Sequence, residues 1–268
     1  MNKKILKKYI KNFINESLSI EPQIEKARKI IYNDQAMKSF FENLSSTLGI
    51  KYTQYVDSKI HIYVGRDLAG EGTHTLEGNI VFSYLDDNNA EKKKSWNFAE
   101  IAIDKLPQNK KVFDNEGKER SIYQIYNTYA VKLELGALMY DLLIEYISTN
   151  NGVLISDRHD VSDDAVTVWE KYMQRSDVQR AQIDVDLDYD HKLTAGLENT
   201  TKDYWHDDLL QSKAISYAKE KYDDKHMWLE TPFAKGLYKK DSDFRVKSAL
   251  ESDEKFILTF GDESEEEY

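Results

Sequence analysis

The clearest alternation of strand and helix patterns in the chain lies at Ile122–Arg175, which reads IYQIYNTYAVKLELGALMYDLLIEYISTNNGVLISDRHDVSDDAVTVWEKYMQR. Its first part, Ile122–Leu133, is rich in β-branched and aromatic residues and predicts a strand. A helix is predicted at Ala137–Ser148, followed by a short buried strand at Val153–Ile155. Ser162, with two aspartates directly behind it, is typical of the N-cap of another helix. The order strand, helix, strand, helix predicts a βαβα unit.

The residues before this unit predict helices followed by an antiparallel meander. Apolar residues first recur at helical spacing and then give way to short alternating runs separated by Asp- and Asn-rich turns. The helices are expected at Gln23–Tyr32 and from Asp34, as N-cap, to about Thr47, and the strands at Lys59–Val64, Asn79–Tyr84 and Trp96–Asp104. After the unit, a strand is expected at Ile183–Tyr189 and a helix at Asp207–Tyr222.

Composition and charge exclude several classes of protein. The formal net charge of -11 argues against a general nucleic-acid binder, because a negative field repels phosphate. The absence of cysteine excludes a disulfide framework, a cysteine-ligated metal and a cysteine nucleophile. No apolar run approaches the length of about 20 residues that crosses a bilayer. We therefore expect a soluble protein without a membrane span.

The first 20 residues predict a basic amphipathic helix. Ile5, Tyr9 and Phe13 belong to an apolar face, and five lysines take the other face. Two interpretations remain open. The helix docks on an acidic partner or an anionic membrane, or it packs on its own domain with a solvated lysine face.

The turn before the first helix of the βαβα unit is a candidate phosphate site, because backbone N–H groups at a helix N-terminus can hold a pyrophosphate. The residues concerned are Leu133, Leu135, Gly136, Ala137 and Leu138. The alternative is that Gly136 serves a tight strand-to-helix turn.

Polar residues follow the second strand of the unit. Asp157 and His159 come at the carboxyl end of a buried strand, where sites gather in open α/β folds. Alternatively, Asp157 pairs with Arg158 and caps the next helix. The alternating aspartates from Asp184 to Asp190 offer carboxylates for a divalent cation, but they break the EF-hand pattern, and a solvated strand face or loop explains them as well. No metal site is predicted.

The βαβα unit resembles the second half of the GNAT fold of N-acetyltransferases. In that family a central strand leads to a Gly-rich turn that receives the acetyl-CoA pyrophosphate, and a helix, a parallel strand and another helix follow. Ala165–Lys171 resembles the family's Ala-x-x-x-Tyr-Glu-Lys segment. Four short segments resemble segments of GNAT-like proteins predicted in tailed bacteriophages. They are Gly136–Asp141, Ser156–Arg158, Val161–Ala165 and Arg175–Val178. The resemblance implies a mixed α/β fold with a bent GNAT-like sheet and flanking helices. It implies a GNAT-like domain at 21–180. The residue pattern on either side predicts a basic N-terminal helix (1–20) and a C-terminal extension with an acidic tail (181–268).

Two departures from the family pattern bear on activity. Glu134 stands where the cofactor turn has its first glycine, and Trp169 replaces the tyrosine that protonates the departing CoA thiolate. Indole is not an acid near neutral pH, so Tyr172, one turn further on, is the candidate replacement. Together with Asp157 and His159, it completes the set of candidate catalytic residues.

The sequence thus predicts a phage GNAT-fold protein with a degenerate acetyl-CoA site. It would act as a virion-associated or host-interaction component that binds phage or host proteins through its N-terminal helix. We expect it in the host cytoplasm or on the virion. The alternative is an active N-acetyltransferase that uses acetyl-CoA on an unknown amine. In either case acetyl-CoA is the one cofactor that the resemblance implies.

Overall fold

The chain folds as a mixed α/β protein whose nine strands form one large mixed sheet flanked by helices. The computed structural model describes residues 21–66, 73–106, 111–130, 135–157, 161–183 and 205–261. The predicted fold class is therefore confirmed at the level of a mixed α/β sheet with helices around it. The predicted N-terminal helix, Leu133, His159, the aspartate run from Asp184 to Asp190 and the acidic tail lie outside the described residues.

The described residues contain six α-helices and nine strands. The helices are α1 (Glu21–Ile31), α2 (Asp34–Leu48), α3 (Gly136–Thr149), α4 (Asp163–Met173), α5 (Trp205–Tyr222) and α6 (Val246–Glu251). The strands are β1 (Gln54–Arg66), β2 (Thr73–Leu85), β3 (Glu91–Lys105), β4 (Lys111–Phe113), β5 (Glu119–Ala130), β6 (Gly152–Ile155), β7 (Gln179–Gln182), β8 (Lys235–Tyr238) and β9 (Phe256–Gly261). Short 3₁₀ turns occupy Lys225–Glu230, Pro232–Ala234 and Asp241–Asp243. The sheet order is β7-β8-β6-β5-β3-β2-β1-β9, and β4 pairs with β5.

The chain divides into two compact units that interleave in sequence. The first contains the described residues of Ile103–Asn127 and Ile144–Phe244, and the second contains those of Ile20–Ala102, Thr128–Leu143 and Arg245–Tyr268. The division into 1–20, 21–180 and 181–268 that the sequence suggests stays a prediction.

The first unit contains the strand pairing expected of the βαβα segment. β5 and β6 are parallel, with Ile122 opposite Val153. α3 lies between them in the chain, and its residues from Ile144 onward belong to this unit. β8 runs antiparallel to both β6 and β7. Ser162 is the N-cap of α4, since its hydroxyl accepts a hydrogen bond from the backbone N–H of Ala165 at 3.2 Å. The core of this sheet region is apolar and consists of Val112, Ile122, Val153, Ile155, Ala181, Ile183 and Tyr238.

The second unit contains the predicted antiparallel hairpin of β1 and β2, which pair from Gln54–Leu85 to Arg66–His74. β9, which the sequence did not predict, pairs parallel to β1. The predicted N-cap of α2 was wrong by one residue. Asn33, not Asp34, accepts a hydrogen bond from a helix N–H, that of Ala36, at 3.0 Å. Within the described residues, no helix is both long and apolar enough to span a membrane.

Candidate functional site

Helix α4 carries the predicted acid position on its buried side. Trp169 is 2% exposed, and its indole N–H donates to the backbone carbonyl of Lys235 at 3.4 Å. Tyr172 is 4% exposed, and the guanidinium group of Arg175 lies 4.8 Å from the centre of its ring. Both aromatic rings therefore belong to the interior of the first unit rather than to an accessible cleft.

The other predicted catalytic residues lie at the carboxyl end of β6. Asp157 follows β6 by two residues and is half-buried. His159 lies outside the described residues, so the structure does not test whether it joins Asp157. Of the predicted set, the structure thus places Asp157 and Tyr172 in the same compact unit.

The predicted cofactor turn leads into α3, whose first residue is Gly136. Leu135 and Leu138 are buried, each only 1% exposed, so neither residue presents an accessible surface to a ligand. Ala137 is partly buried, and Leu133 lies outside the described residues. These described turn residues belong to the second unit, whereas Asp157 and Tyr172 belong to the first.

A buried charged cluster lies in the first unit. The side chain of Lys239, directly after β8, is 0% exposed, and its Nζ atom lies 3.6 Å from the Asp177 carboxylate and 3.9 Å from the Glu145 carboxylate. Arg175 donates to both oxygens of Asp177, at 2.9 and 2.7 Å. The backbone N–H of Lys239 donates to the hydroxyl of Ser148 at 2.8 Å. The cluster links α3, the turn after α4 and the end of β8.

The charges around Asp177 alter its acidity. Burial by itself raises the pKa of this carboxyl, but the hydrogen bonds from Arg175 and the positive charges of Arg175 and Lys239 hold its pKa below the ordinary value. Asp177 therefore stays ionised, as a buried ion pair requires. Sequence reasoning missed this cluster. Its only signal is the Arg175-Ser176-Asp177 spacing, because nothing local indicates that Lys239 is buried.

A second ion pair stabilises the hairpin of β4 and β5 in the same unit. The Nε atom of Arg120 donates to Asp114 at 2.7 Å, and both side chains are buried. The guanidinium group of Arg120 also lies 3.9 Å from the ring centre of Tyr238. Burial raises the pKa of Asp114, yet hydrogen bonds from Arg120 and from two backbone N–H groups bring its pKa below the ordinary value. This ion pair has a structural rather than a catalytic arrangement, because both carboxylate oxygens of Asp114 already accept hydrogen bonds.

The exposed side of α4 faces α5 across an open groove of about 680 Å³. We call this space the α4–α5 groove. It is lined by Val161, Asp163, Val166, Thr167, Glu170, Lys213, Ser216, Tyr217, Glu220, Lys221 and Phe233. Glu170 accepts a hydrogen bond from the phenol of Tyr217 and pairs with the Nζ atom of Lys221 at 3.0 Å. The hydrogen bond to Glu170 raises the pKa of Lys221. The groove thus combines fixed charges with an apolar floor.

The chain matches no protein-family model, and no curated protein or solved structure matches it either. In the ranges that the structure describes, no group of three or more His, Asp or Glu side chains is placed to hold a metal ion.

Proposed function

We propose that the chain is a GNAT-like protein of a tailed bacteriophage with a degenerate acetyl-CoA site, acting as a virion-associated or host-interaction component. The observation that carries the proposal is the burial of Tyr172 beneath Arg175. A general acid has to come within hydrogen-bond reach of the leaving group. A phenol in the interior of the unit does not meet that requirement.

The order of elements supports the family part of the proposal. β5 is followed by α3, by the parallel strand β6 and by α4. This is the succession that the resemblance implies for the half of the fold that holds the cofactor. The length of α3, Gly136–Thr149, also agrees with the expected helix.

The chemistry at the acid position supports the loss of transfer activity. Trp169 occupies the position of the family tyrosine, and its only polar hydrogen is donated to the Lys235 carbonyl. Glu134 in the expected cofactor turn adds a negative charge where a pyrophosphate would bind. Each change alone weakens acetyl transfer, and together they favour a scaffold that binds proteins.

Calorimetric titration of the full chain with acetyl-CoA tests the proposal. We expect no binding heat up to about millimolar cofactor, which corresponds to binding weaker than roughly 4 kcal/mol. An active GNAT enzyme titrated in parallel is the positive control. Micromolar binding that Gly136→Glu abolishes would instead establish a working cofactor site and favour the alternative, an N-acetyltransferase in which Asp157 deprotonates the amine.

The biological part of the proposal concerns partners and location. The lysines of residues 1–20 are suited to an acidic protein surface of the virion or of the host, in the host cytoplasm or on the particle. Quantitative mass spectrometry of gradient-purified particles of a phage that encodes the chain tests virion association. A constant copy number per particle is expected, and loss of the chain during purification would reject the virion assignment.

A further inference from the structure

The α4–α5 groove has the geometry of a helix-binding site. Its lining residues on α4 are Asp163, Val166, Thr167 and Glu170, and those on α5 are Lys213, Ser216, Tyr217, Glu220 and Lys221. Both sets follow the spacing i, i+3, i+4 and i+7, with Lys221 added at i+8 on α5, which places them on one face of each helix. Two such faces that border an open groove accept a third helix, which contributes its own residues at the same spacing.

The floor of the groove is apolar and partly aromatic. Val161 and Phe233 are buried residues of the cluster beneath it, and Val166 packs against that cluster. The Tyr217 ring lies 5.9 Å from the Phe233 ring in an edge-to-face arrangement. A ligand with an apolar stripe would remove this surface from water.

The rim of the groove is acidic on balance. Three carboxylates line it, those of Asp163, Glu170 and Glu220, against two lysines, Lys213 and Lys221. Lys221 already pairs with Glu170, and the carboxylates of Asp163 and Glu220 are exposed to solvent. The groove therefore favours a helix that is apolar along one side and basic along its flanks.

We propose that residues 3–18 of this chain bind in the α4–α5 groove. Leu6, Tyr9, Ile10 and Phe13 have the spacing i, i+3, i+4 and i+7 that such a groove requires. Five lysines against one glutamate give the segment the complementary charge. The groove covers about two helical turns, roughly 11 Å, so the segment of roughly 24 Å is long enough to fill it.

Binding in the groove lets the N-terminal helix pack on its own domain and still present its lysines to an acidic partner. It does not depend on the proposed function. The apolar face of the segment is covered by the groove. Lysines on its far side, such as Lys8 and Lys11, remain directed at solvent. A basic surface is therefore presented to an acidic partner without an exposed apolar stripe, which would otherwise promote aggregation.

Photo-crosslinking of the full chain tests the assignment, and the absence of natural cysteine makes single-site labelling clean. Ser216→Cys places a benzophenone label on an exposed position in the groove. After irradiation, mass spectrometry should find the label attached to residues 3–18. The same label on Glu42→Cys, an exposed position of α2 in the second unit, is the control and should not give this product.

Two substitutions make the test specific to the proposed contacts. Phe13→Asp removes an apolar anchor and should lower the crosslink yield from position 216 at least tenfold, while circular dichroism and the melting temperature show that the domain stays folded. Glu220→Lys reverses a rim charge and should lower the yield about fivefold, whereas Glu42→Lys, with the same change in net charge, should leave it unchanged. Attachment to any other segment or to another protein, or a yield insensitive to Phe13→Asp, would overturn the proposal.

Discussion

The Nζ atom of Lys239 lies 3.6 Å from the Asp177 carboxylate although the lysine side chain is fully buried. Its neighbour Lys240 pairs with Glu116 at the surface, where both side chains are largely exposed. Two consecutive lysines thus form ion pairs in opposite environments. The structure offers a direct comparison of what burial does to such a pair.

Replacing the buried lysine should cost far more stability than replacing the exposed one. Lys239→Met removes the buried cation beside Glu145, whereas Asp177 keeps its hydrogen bonds from Arg175. Breaking a buried pair typically costs about 3–5 kcal/mol. Lys240→Met should cost less than about 1 kcal/mol, because exposed pairs are screened by water. Urea unfolding of both variants measures the difference. Equal losses of unfolding free energy would show that the buried pair is no stronger than the surface pair.

Stability should decline at acidic pH in a way that depends on Asp114. Its folded-state pKa is lower than the ordinary value of 3.8, so its contribution is present above that value and is lost as pH falls through the folded-state pKa. Asp114→Asn should therefore be less stable than the parent near neutral pH and lose less between about pH 5 and about pH 2. Unfolding free energies across this range provide the measurement. A parallel decline in both proteins would mean that other carboxyls account for the acid sensitivity.

Glycine is required at one position of β2 and dispensable at the start of α3. A Cβ atom added at Gly78 would lie 2.5 Å from the buried ring of Phe98, so Gly78→Ala should destabilise the protein by about 1–2 kcal/mol. At Gly136 the nearest atom would be the Cβ of Ala130 at 3.7 Å, so Gly136→Ala should be neutral or slightly stabilising. Thermal unfolding compares the two. The cost of Gly78→Ala should shrink in a Phe98→Leu background, and an undiminished cost there would exclude the ring as its cause.

His61 should titrate below the usual histidine range. Partial burial disfavours its charged form and lowers its pKa from 6.5, and its Nε2 atom lies 2.8 Å from the hydroxyl of Thr259 on β9. Because the folded-state pKa lies below the unfolded value, His61 contributes its full stabilisation above about pH 6.5. That stabilisation is lost as pH falls from about 6.5 through the folded-state pKa. Nuclear magnetic resonance titration of the imidazole signals, assigned with His61→Asn, gives the pKa directly. A midpoint at or above 6.5 would contradict the effect of burial.

Local signals predicted most of the regular elements. The β-rich run before α3, the buried apolar triplet of β6 and the N-cap Ser162 each depend on neighbouring residues, and each element was found where it was expected. The boundary of α2 shifted because Asn33 and Asp34 are both good caps, and only the backbone conformation selects one of them.

Elements whose partners are distant in sequence were not predicted. β8 has four residues and β9 has six, so neither carries a long local strand pattern. They are strands because β8 pairs with β6 and β7, and because β9 pairs with β1, about 200 residues earlier in the chain. Strand formation of this kind depends on packing more than on local propensity.

The candidate site also has some features that the local sequence determines and others that only tertiary packing determines. Residue identity alone excludes cysteine chemistry and a tyrosine acid at position 169, because these depend on which functional groups the chain possesses. Burial of Tyr172 beneath Arg175, burial of Lys239 between two carboxylates and the opening of the α4–α5 groove arise only when α3, α4, α5 and β8 pack together. Side-chain chemistry is encoded residue by residue, whereas exposure and electrostatic environment are properties of the packed chain.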